Sequence, residues 1–213
     1  MSLEEAFARL LPLVEGELQE MVRASHYSLS DYYGMMQYHM GWVDSDLKPI
    51  KSQGGKRLRP ILCLLCCEAA GGDVEQAVPA AAAVELVHNF SLVHDDIEDN
   101  DAERYGKATL HEQHGTAIAL NAGDLLIGEG YRLLAESGVP AATVARMVAI
   151  AAAGQRDLCC GQGAELAWTR NPQPLAPARV LEIFRRKTAP AFSVALLLGA
   201  AHSGRLDEVE ETL

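Results

Sequence analysis

The chain has 213 residues, a formal net charge of −11 and a hydrophobic share of 49%, which fit a globular protein with one large domain or two small ones. The acidic balance argues against general binding to nucleic acid or to an anionic membrane surface, because both need a basic footprint. We expect neither a signal peptide nor a transmembrane helix, and therefore a cytoplasmic protein.

Helical periodicity runs through most of the chain. Apolar residues at three- and four-residue steps predict a first amphipathic helix between Leu3 and Val22. Further helices are predicted at about 30–43, from Pro60 to the glycines at 71–72, from the capping residue Asp73 through Asp99, and at about 117–137, 140–162 and 177–203. A Pro-rich loop is predicted at 169–177, and no strand pattern is present. We therefore predict an all-α fold, a single domain over 1–213, in which antiparallel helices surround a central cavity.

The cysteines are odd in number and lie in apolar helical stretches: Cys63, Cys66, Cys67, Cys159 and Cys160. We predict buried, reduced thiols with a structural role. The C-x-x-C formed by Cys63 and Cys66 leaves a zinc or redox site as the alternative.

An acidic motif ends the fourth predicted helix, at His94-Asp95-Asp96-Ile97-Glu98-Asp99. Asp95 and Asp99 are one turn apart and share a face, so their carboxylates repel each other unless a cation lies between them. Oxygen ligands at this spacing suit Mg²⁺. The alternative is a solvated acidic helix end, but the helix is otherwise apolar and carboxylates are unfavourable at a helix C-terminus.

A basic motif precedes the third predicted helix, at Gly54-Gly55-Lys56-Arg57-Leu58-Arg59-Pro60. Glycines that lead into a Pro-started helix place free N–H groups beside Lys56 and Arg59, which predicts an anion site suited to a diphosphate. The alternative is a basic surface turn. His88 lies seven residues before Asp95 and so shares its helix face, which favours a ligand role over an ordinary structural histidine.

These motifs, followed by Gly161-Gln162-Gly163-Ala164-Glu165-Leu166 and Lys187-Thr188-Ala189, resemble in order and spacing those of the trans-isoprenyl diphosphate synthases, the polyprenyl synthetase family. The resemblance implies a Mg²⁺-dependent prenyltransferase that joins isopentenyl diphosphate to an allylic diphosphate and releases diphosphate. It also implies a homodimer.

Site residues follow from the resemblance at the matching positions. Asp95 and Asp99, with Asp96 near them, would hold Mg²⁺ on the allylic diphosphate. The remaining implied contacts are Arg104, Lys187, Thr188 and Gln162 with the allylic substrate, and Lys56, Arg59 and His88 with the diphosphate of isopentenyl diphosphate. Phe90 and Ser91, one turn above the acidic motif, resemble the chain-length residues of geranylgeranyl-forming members and favour a C20 product, with C15 next.

Three departures from the family pattern are present. Tyr105 stands where a second arginine is usual, which predicts weaker binding of isopentenyl diphosphate or an altered second substrate, and Glu165 replaces an aspartate. The family's second aspartate-rich motif has no match, since the acidic run 207–211 follows Gly204 too closely and is predicted to be a solvated helix start. We therefore expect the chain to cover the N-terminal two-thirds of a longer family domain.

Two other functions remain open from the sequence. A class I terpene cyclase would keep Asp95 and Asp99 but would have less need for Lys56, Arg59 and His88. A non-catalytic partner subunit of a prenyl synthase would fit the missing second acidic motif, although the intact first motif and Lys187 argue against it.

Overall fold

A computed structural model describes residues 2–51 and 54–211, and α-helices dominate both ranges. The helices are α1 (Leu3–Met21), α2 (Ser30–Met40), α3 (Leu58–Ala69), α4 (Val74–Glu98), α5 (Leu110–His114), α6 (Thr116–Ala135), α7 (Ala141–Thr169), α8 (Pro177–Lys187), α9 (Ala189–His202) and α10 (Leu206–Val209). A 3₁₀ turn at Tyr27–Leu29 precedes α2. The all-α prediction is confirmed.

One short hairpin corrects the prediction that strands are absent. Strand β1 (Glu103–Arg104) pairs antiparallel with β2 (Lys107–Ala108). Tyr105 and Gly106 both have positive φ, 53° and 76°, which is the backbone of the tight turn that joins twisted strands. Strands of two residues are too short to leave an alternating pattern in the sequence.

The helix predicted over 177–203 is two helices that meet at Thr188. Pro190 is the second residue of α9, where its missing N–H and its effect on the preceding residue prevent α8 from continuing. This break lets α8 and α9 run in different directions, with Lys187 at the end of α8. The helix predicted over 140–162 also extends further, to Thr169.

Helix α4 lies at the centre and packs against α1, α3, α6 and α9. Asp73 caps it by accepting hydrogen bonds from the backbone N–H groups of Glu75 and Gln76. The alanines at 80–83 are at most 1% exposed, and their small side chains let neighbouring helices approach closely. A helix surrounded in this way needs apolar residues on every side, which explains why its pattern is not amphipathic.

The cysteines divide between the core and the surface. Cys63 and Cys67 are buried and Cys66 is partly buried on α3, but Cys159 and Cys160 are exposed on α7. The prediction of burial is therefore wrong for the second pair. Burial raises the pKa of Cys67 to about 11, which disfavours the thiolate that zinc binding and redox chemistry both need. The structural interpretation of the α3 cysteines is favoured over a zinc site.

The acidic run near the end of the chain begins a short exposed helix, α10, as predicted. Asp207 lies 2.5 Å from the guanidinium of Arg146 on α7. Across 2–51 and 54–211, we find no helix with the length and apolar character needed to cross a membrane.

Candidate active site

The C-terminal end of α4 forms one wall of an acidic cavity with an empty volume of about 640 Å³. Asp95, Glu98, Gln162 and Lys187 line it. Burial raises the pKa of Asp95 to about 6, against the opposing effect of the Lys187 ammonium. Two of the predicted motifs, on α7 and α8, therefore meet the acidic motif of α4 in one place.

Asp99 connects these motifs directly. Its carboxylate accepts a hydrogen bond from Gln162 Nε2 at 3.3 Å and lies 3.8 Å from Lys187 Nζ. Lys187 Nζ also donates to Glu165 Oε2 at 2.8 Å. Burial works against the charged form of Lys187, but Glu165 and Asp99 outweigh it and raise its pKa. Lys187 is thus a fixed cation at the mouth of the acidic cavity.

A glycine on α7 allows α8 to place Lys187 there. A Cβ atom on Gly161 would lie 2.7 Å from the backbone nitrogen of Lys187 and 2.8 Å from the carbonyl carbon of Arg186. Both neighbours are backbone atoms, so a side chain at 161 would force the two helices apart. Thr188, the next residue along, is exposed at the junction of α8 and α9.

Asp96 has a different environment from its neighbours. It is 1% exposed, and its carboxylate accepts hydrogen bonds from Arg104 at 2.7 Å (Nε) and 2.5 Å (Nη2). Burial raises the pKa of Asp96, and the Arg104 guanidinium opposes that rise. This pair ties the hairpin to α4 and lies outside the walls of the acidic cavity. The predicted roles of Asp96 at the metal and of Arg104 on the allylic diphosphate therefore need Arg104 to leave Asp96 or to use a free N–H.

The oxygen donors fit Mg²⁺ in kind and number. Asp95 and Glu98 line the cavity and Asp99 lies at its edge. Mg²⁺ in proteins commonly takes one or two carboxylates and completes its shell with water and substrate phosphates. The described part of the chain contains no group of three or more His, Cys, Asp or Glu side chains arranged to hold a metal ion, so water and substrate phosphates would have to supply the remaining ligands.

A second cavity, basic in character, lies beside the start of α3 and has an empty volume of about 940 Å³. It is lined by the three residues for which a diphosphate-binding role is predicted, Lys56, Arg59 and His88. Arg59 Nη1 lies 3.0 Å from His88 Nε2. Burial, followed by the Arg59 charge, lowers the pKa of His88 to about 3, so His88 is neutral at pH 7 and can accept that hydrogen bond. Tyr105 also lines this cavity and is 55% exposed.

An apolar cavity of about 450 Å³ lies between the other two along α4. It shares Arg59 and His88 with the basic cavity, and Ser91 with the acidic cavity. Phe90 lines the acidic cavity, where its ring centroid is 4.5 Å from that of His94. The acidic, apolar and basic cavities are thus neighbours along one helix.

Two residues that hold side chains of the candidate site in place were missed by the sequence analysis. Glu165 was treated only as a departure from the family pattern, although it holds Lys187 in place. Arg57 was passed over inside a basic run, yet its side chain is buried and forms ion pairs with Glu15 and Glu85. Its left-handed backbone and buried partners are tertiary features that leave no local signal.

Comparison with known proteins agrees with this architecture. The sequence model of the polyprenyl synthetase family matches residues 40–213. The geranylgeranyl pyrophosphate synthase of Geoglobus acetivorans is 38% identical over 160 residues, which cover 75% of this chain and 50% of the relative. The farnesyl diphosphate synthase of Mycobacterium bovis is 37% identical over 179 residues, covering 84% and 49%. The chain spans about half the length of the curated relatives it matches.

Among solved structures, the polyprenyl synthetase from Streptomyces coelicolor A3(2) superposes with a TM-score of 0.89 at 31% identity, over 99% of this chain and 61% of that chain. The fold is therefore that of the all-helical isoprenoid synthases. With the family match over most of its length, the chain belongs to the polyprenyl synthetase family.

Proposed function

We propose that this protein is a prenyltransferase that condenses isopentenyl diphosphate with an allylic diphosphate, giving a longer polyprenyl diphosphate and free diphosphate. The observation that carries the proposal is the adjacency of the acidic, apolar and basic cavities along α4, with Ser91, Arg59 and His88 as shared wall residues. This arrangement suits two diphosphates on either side of an apolar chain.

In the acidic cavity, Asp95 and Asp99 would hold Mg²⁺ against the allylic diphosphate. When bound, Mg²⁺ would supply Lewis-acid stabilisation of the charge that develops on the leaving diphosphate. Lys187, held by Glu165, would place a positive charge beside the leaving diphosphate. Gln162 would orient the Asp99 carboxylate, to which it donates a hydrogen bond, and so contribute to binding the allylic diphosphate. Thr188 and Arg104 are proposed as further contacts to this diphosphate.

In the basic cavity, Lys56 and Arg59 would bind the diphosphate of isopentenyl diphosphate, and His88 would orient Arg59. The apolar walls between the cavities would keep water from the allylic cation. We propose that Phe90 and Ser91 limit the growing chain, with C20 favoured and C15 next. The relatives include both a geranylgeranyl and a farnesyl diphosphate synthase, which supports this range. A homodimer in the cytoplasm is proposed by resemblance to the family.

The test is to incubate the chain with Mg²⁺, radiolabelled isopentenyl diphosphate and each of the C5, C10 and C15 allylic diphosphates, and to resolve the products by length. Elongated products should form with the wild type and with the control Asp31→Ala, an exposed carboxylate at the start of α2, but be lost with Asp95→Ala. Release of diphosphate without consumption of isopentenyl diphosphate would instead indicate a terpene cyclase. An absence of both reactions would refute an autonomous enzyme and favour a non-catalytic partner subunit.

A further inference from the structure

Arg57, between the two predicted anion ligands of the basic motif, is directed into the protein interior. Its side chain is 2% exposed. Nε donates to Glu15 Oε1 at 2.7 Å, Nη1 to Glu85 Oε1 at 2.9 Å, and Nη2 to the carbonyl oxygen of Met40 at 3.2 Å. Removing a charge from water is costly, so the Arg57 guanidinium stays buried only while it has a carboxylate partner.

The partners of Arg57 are themselves held in place. Asn89 Nδ2 donates to Glu85 Oε1 at 3.0 Å, and Trp42 Nε1 donates to Glu15 Oε2 at 3.0 Å. Burial raises the pKa of Glu85, and the Arg57 guanidinium opposes that rise. The network therefore joins α1, the segment after α2, the start of α3 and the middle of α4 at one guanidinium.

The backbone of Arg57 is strained. It has φ 51° and ψ 33° and serves as the N-cap of α3, a left-handed conformation that costs a non-glycine residue about 1–2 kcal/mol. The loop also lies close against the end of α2, since a Cβ on Gly54 would lie 2.3 Å from the carbonyl oxygen of Met40. Such a conformation persists only when surrounding contacts over-determine it, and the buried guanidinium provides those contacts.

This backbone decides where the neighbouring cations point. Lys56 and Arg59 lie on either side of Arg57 in sequence, and all three line the basic cavity together with Glu85. The Arg57 and Glu85 side chains are 2% and 4% exposed and paired with each other, so Lys56 and Arg59 are the cations more accessible to a ligand. We propose that Arg57 and Glu85 are positioning residues: their buried ion pair holds the left-handed turn that aims Lys56 and Arg59 at a diphosphate group. The inference rests on the proposed function, because it treats the basic cavity as a diphosphate site.

A purely structural role is the competing explanation, and a paired substitution separates the two. Arg57→Met alone would leave the Glu85 carboxylate buried without its partner and would destabilise the fold. The double variant R57M/E85Q removes both charges, and the amide oxygen introduced by the second substitution can still accept the hydrogen bond from Asn89. The matched control is R9M/E68Q, which removes an exposed ion pair between α1 and α3, 2.6 Å in length, whose residues do not line the basic cavity.

Each variant is tested by calorimetric binding of inorganic diphosphate and by urea unfolding. We expect R57M/E85Q to unfold near the wild-type midpoint but to bind diphosphate about tenfold more weakly. In the prenyl transfer assay, KM for isopentenyl diphosphate should rise by a similar factor while kcat stays within about twofold. The control should bind diphosphate as the wild type does. Arg57→Lys, which keeps the charge but loses the planar fork, should give an intermediate affinity.

Wild-type diphosphate affinity in a stably folded R57M/E85Q would overturn the proposal, since the ion pair would then serve stability alone. If that variant does not fold, Glu15→Gln decides, because Glu15 is 22% exposed and its loss leaves no buried charge unpaired. A weakening of diphosphate binding by about threefold would support the proposal, and unchanged affinity would refute it. Diphosphate binding by a wild type that forms no prenyl product would refute the proposed function but leave the positioning role intact.

Discussion

Replacing Gly161 with alanine tests how the contact between α7 and α8 positions Lys187. The new Cβ would lie 2.7 Å from the backbone nitrogen of Lys187 and 2.8 Å from the carbonyl carbon of Arg186. Ordinary contacts between non-bonded carbon atoms are about 3.5–4.0 Å. Because both neighbours are backbone atoms, rotation of a side chain cannot relieve the clash, and α8 must move by about 1 Å.

Two opposing effects determine how much Gly161→Ala changes the free energy of unfolding. Overpacking costs about 1–3 kcal/mol, whereas alanine gains about 1 kcal/mol over glycine in a helix interior. The net loss in the free energy of unfolding should be at most about 2 kcal/mol, so the variant stays folded. A displacement of about 1 Å at a catalytic group can lower the rate about a hundredfold. We expect prenyl transfer by Gly161→Ala to slow by about ten- to a hundredfold.

The matched control is Gly128→Ala, inside α6, where an added Cβ would have no neighbour within 4 Å and would not line the acidic cavity. This variant should gain up to about 1 kcal/mol of stability and keep the wild-type rate. The assay is initial-rate formation of labelled prenyl product, with urea unfolding in parallel. Equal rates for the two alanine variants would refute the reasoning that close packing at Gly161 positions Lys187.

Three further predictions concern pH, the second substrate and product length. Burial lowers the pKa of His39 to about 3, below its unfolded value of about 6.5. The unfolded chain therefore binds a proton more readily, so the contribution of His39 to the free energy of unfolding is complete above pH 6.5 and is lost as the pH drops towards 3. In urea unfolding, His39→Gln should reduce the slope of unfolding free energy against pH by at most about 1.4 kcal/mol per pH unit. His88 should make a similar contribution to this slope. An unchanged slope in His39→Gln would show that His39 does not contribute to the pH dependence of stability. Tyr105→Arg should tighten binding of inorganic diphosphate about fivefold in calorimetry, and unchanged affinity would show that the rim position does not reach the ligand. Phe90→Ala should lengthen the products and Ser91→Phe shorten them on chromatography, whereas constant product length would remove both residues from chain-length control.

The sequence was sufficient for features encoded locally. Pro60, Asp73 and the acidic end of α4 predicted the central helices within a few residues, because capping and apolar patterning act over short distances. The break at Thr188 was missed, since the run from 177 to 203 looks helical throughout and Pro190 is tolerated early in a helix. The exposure of Cys159 could not be foreseen, because it depends on which face of α7 remains uncovered.

In the candidate site, too, the sequence predicted what short motifs encode and missed what tertiary packing decides. Lys56, Arg59, His88 and Asp95 were identified from motifs, and the structure places them along adjoining cavities. The burial of Asp96 against Arg104 was not anticipated, because adjacent aspartates on a helix point in different directions and only tertiary packing decides which one reaches the cavity. The roles of all these residues in catalysis remain predictions.

The rigidity of α4 has a consequence for how substrate preference can change. His88 and Asp95 are seven residues apart on one helix, which fixes their axial separation at about 10 Å. The tightly packed alanines at 80–83 and the neighbouring helices prevent that helix from bending freely. The backbone of α4 therefore sets the distance between the two proposed diphosphate sites. If the proposed function holds, mutations in the apolar walls should alter which hydrocarbon fits without changing the separation of His88 and Asp95.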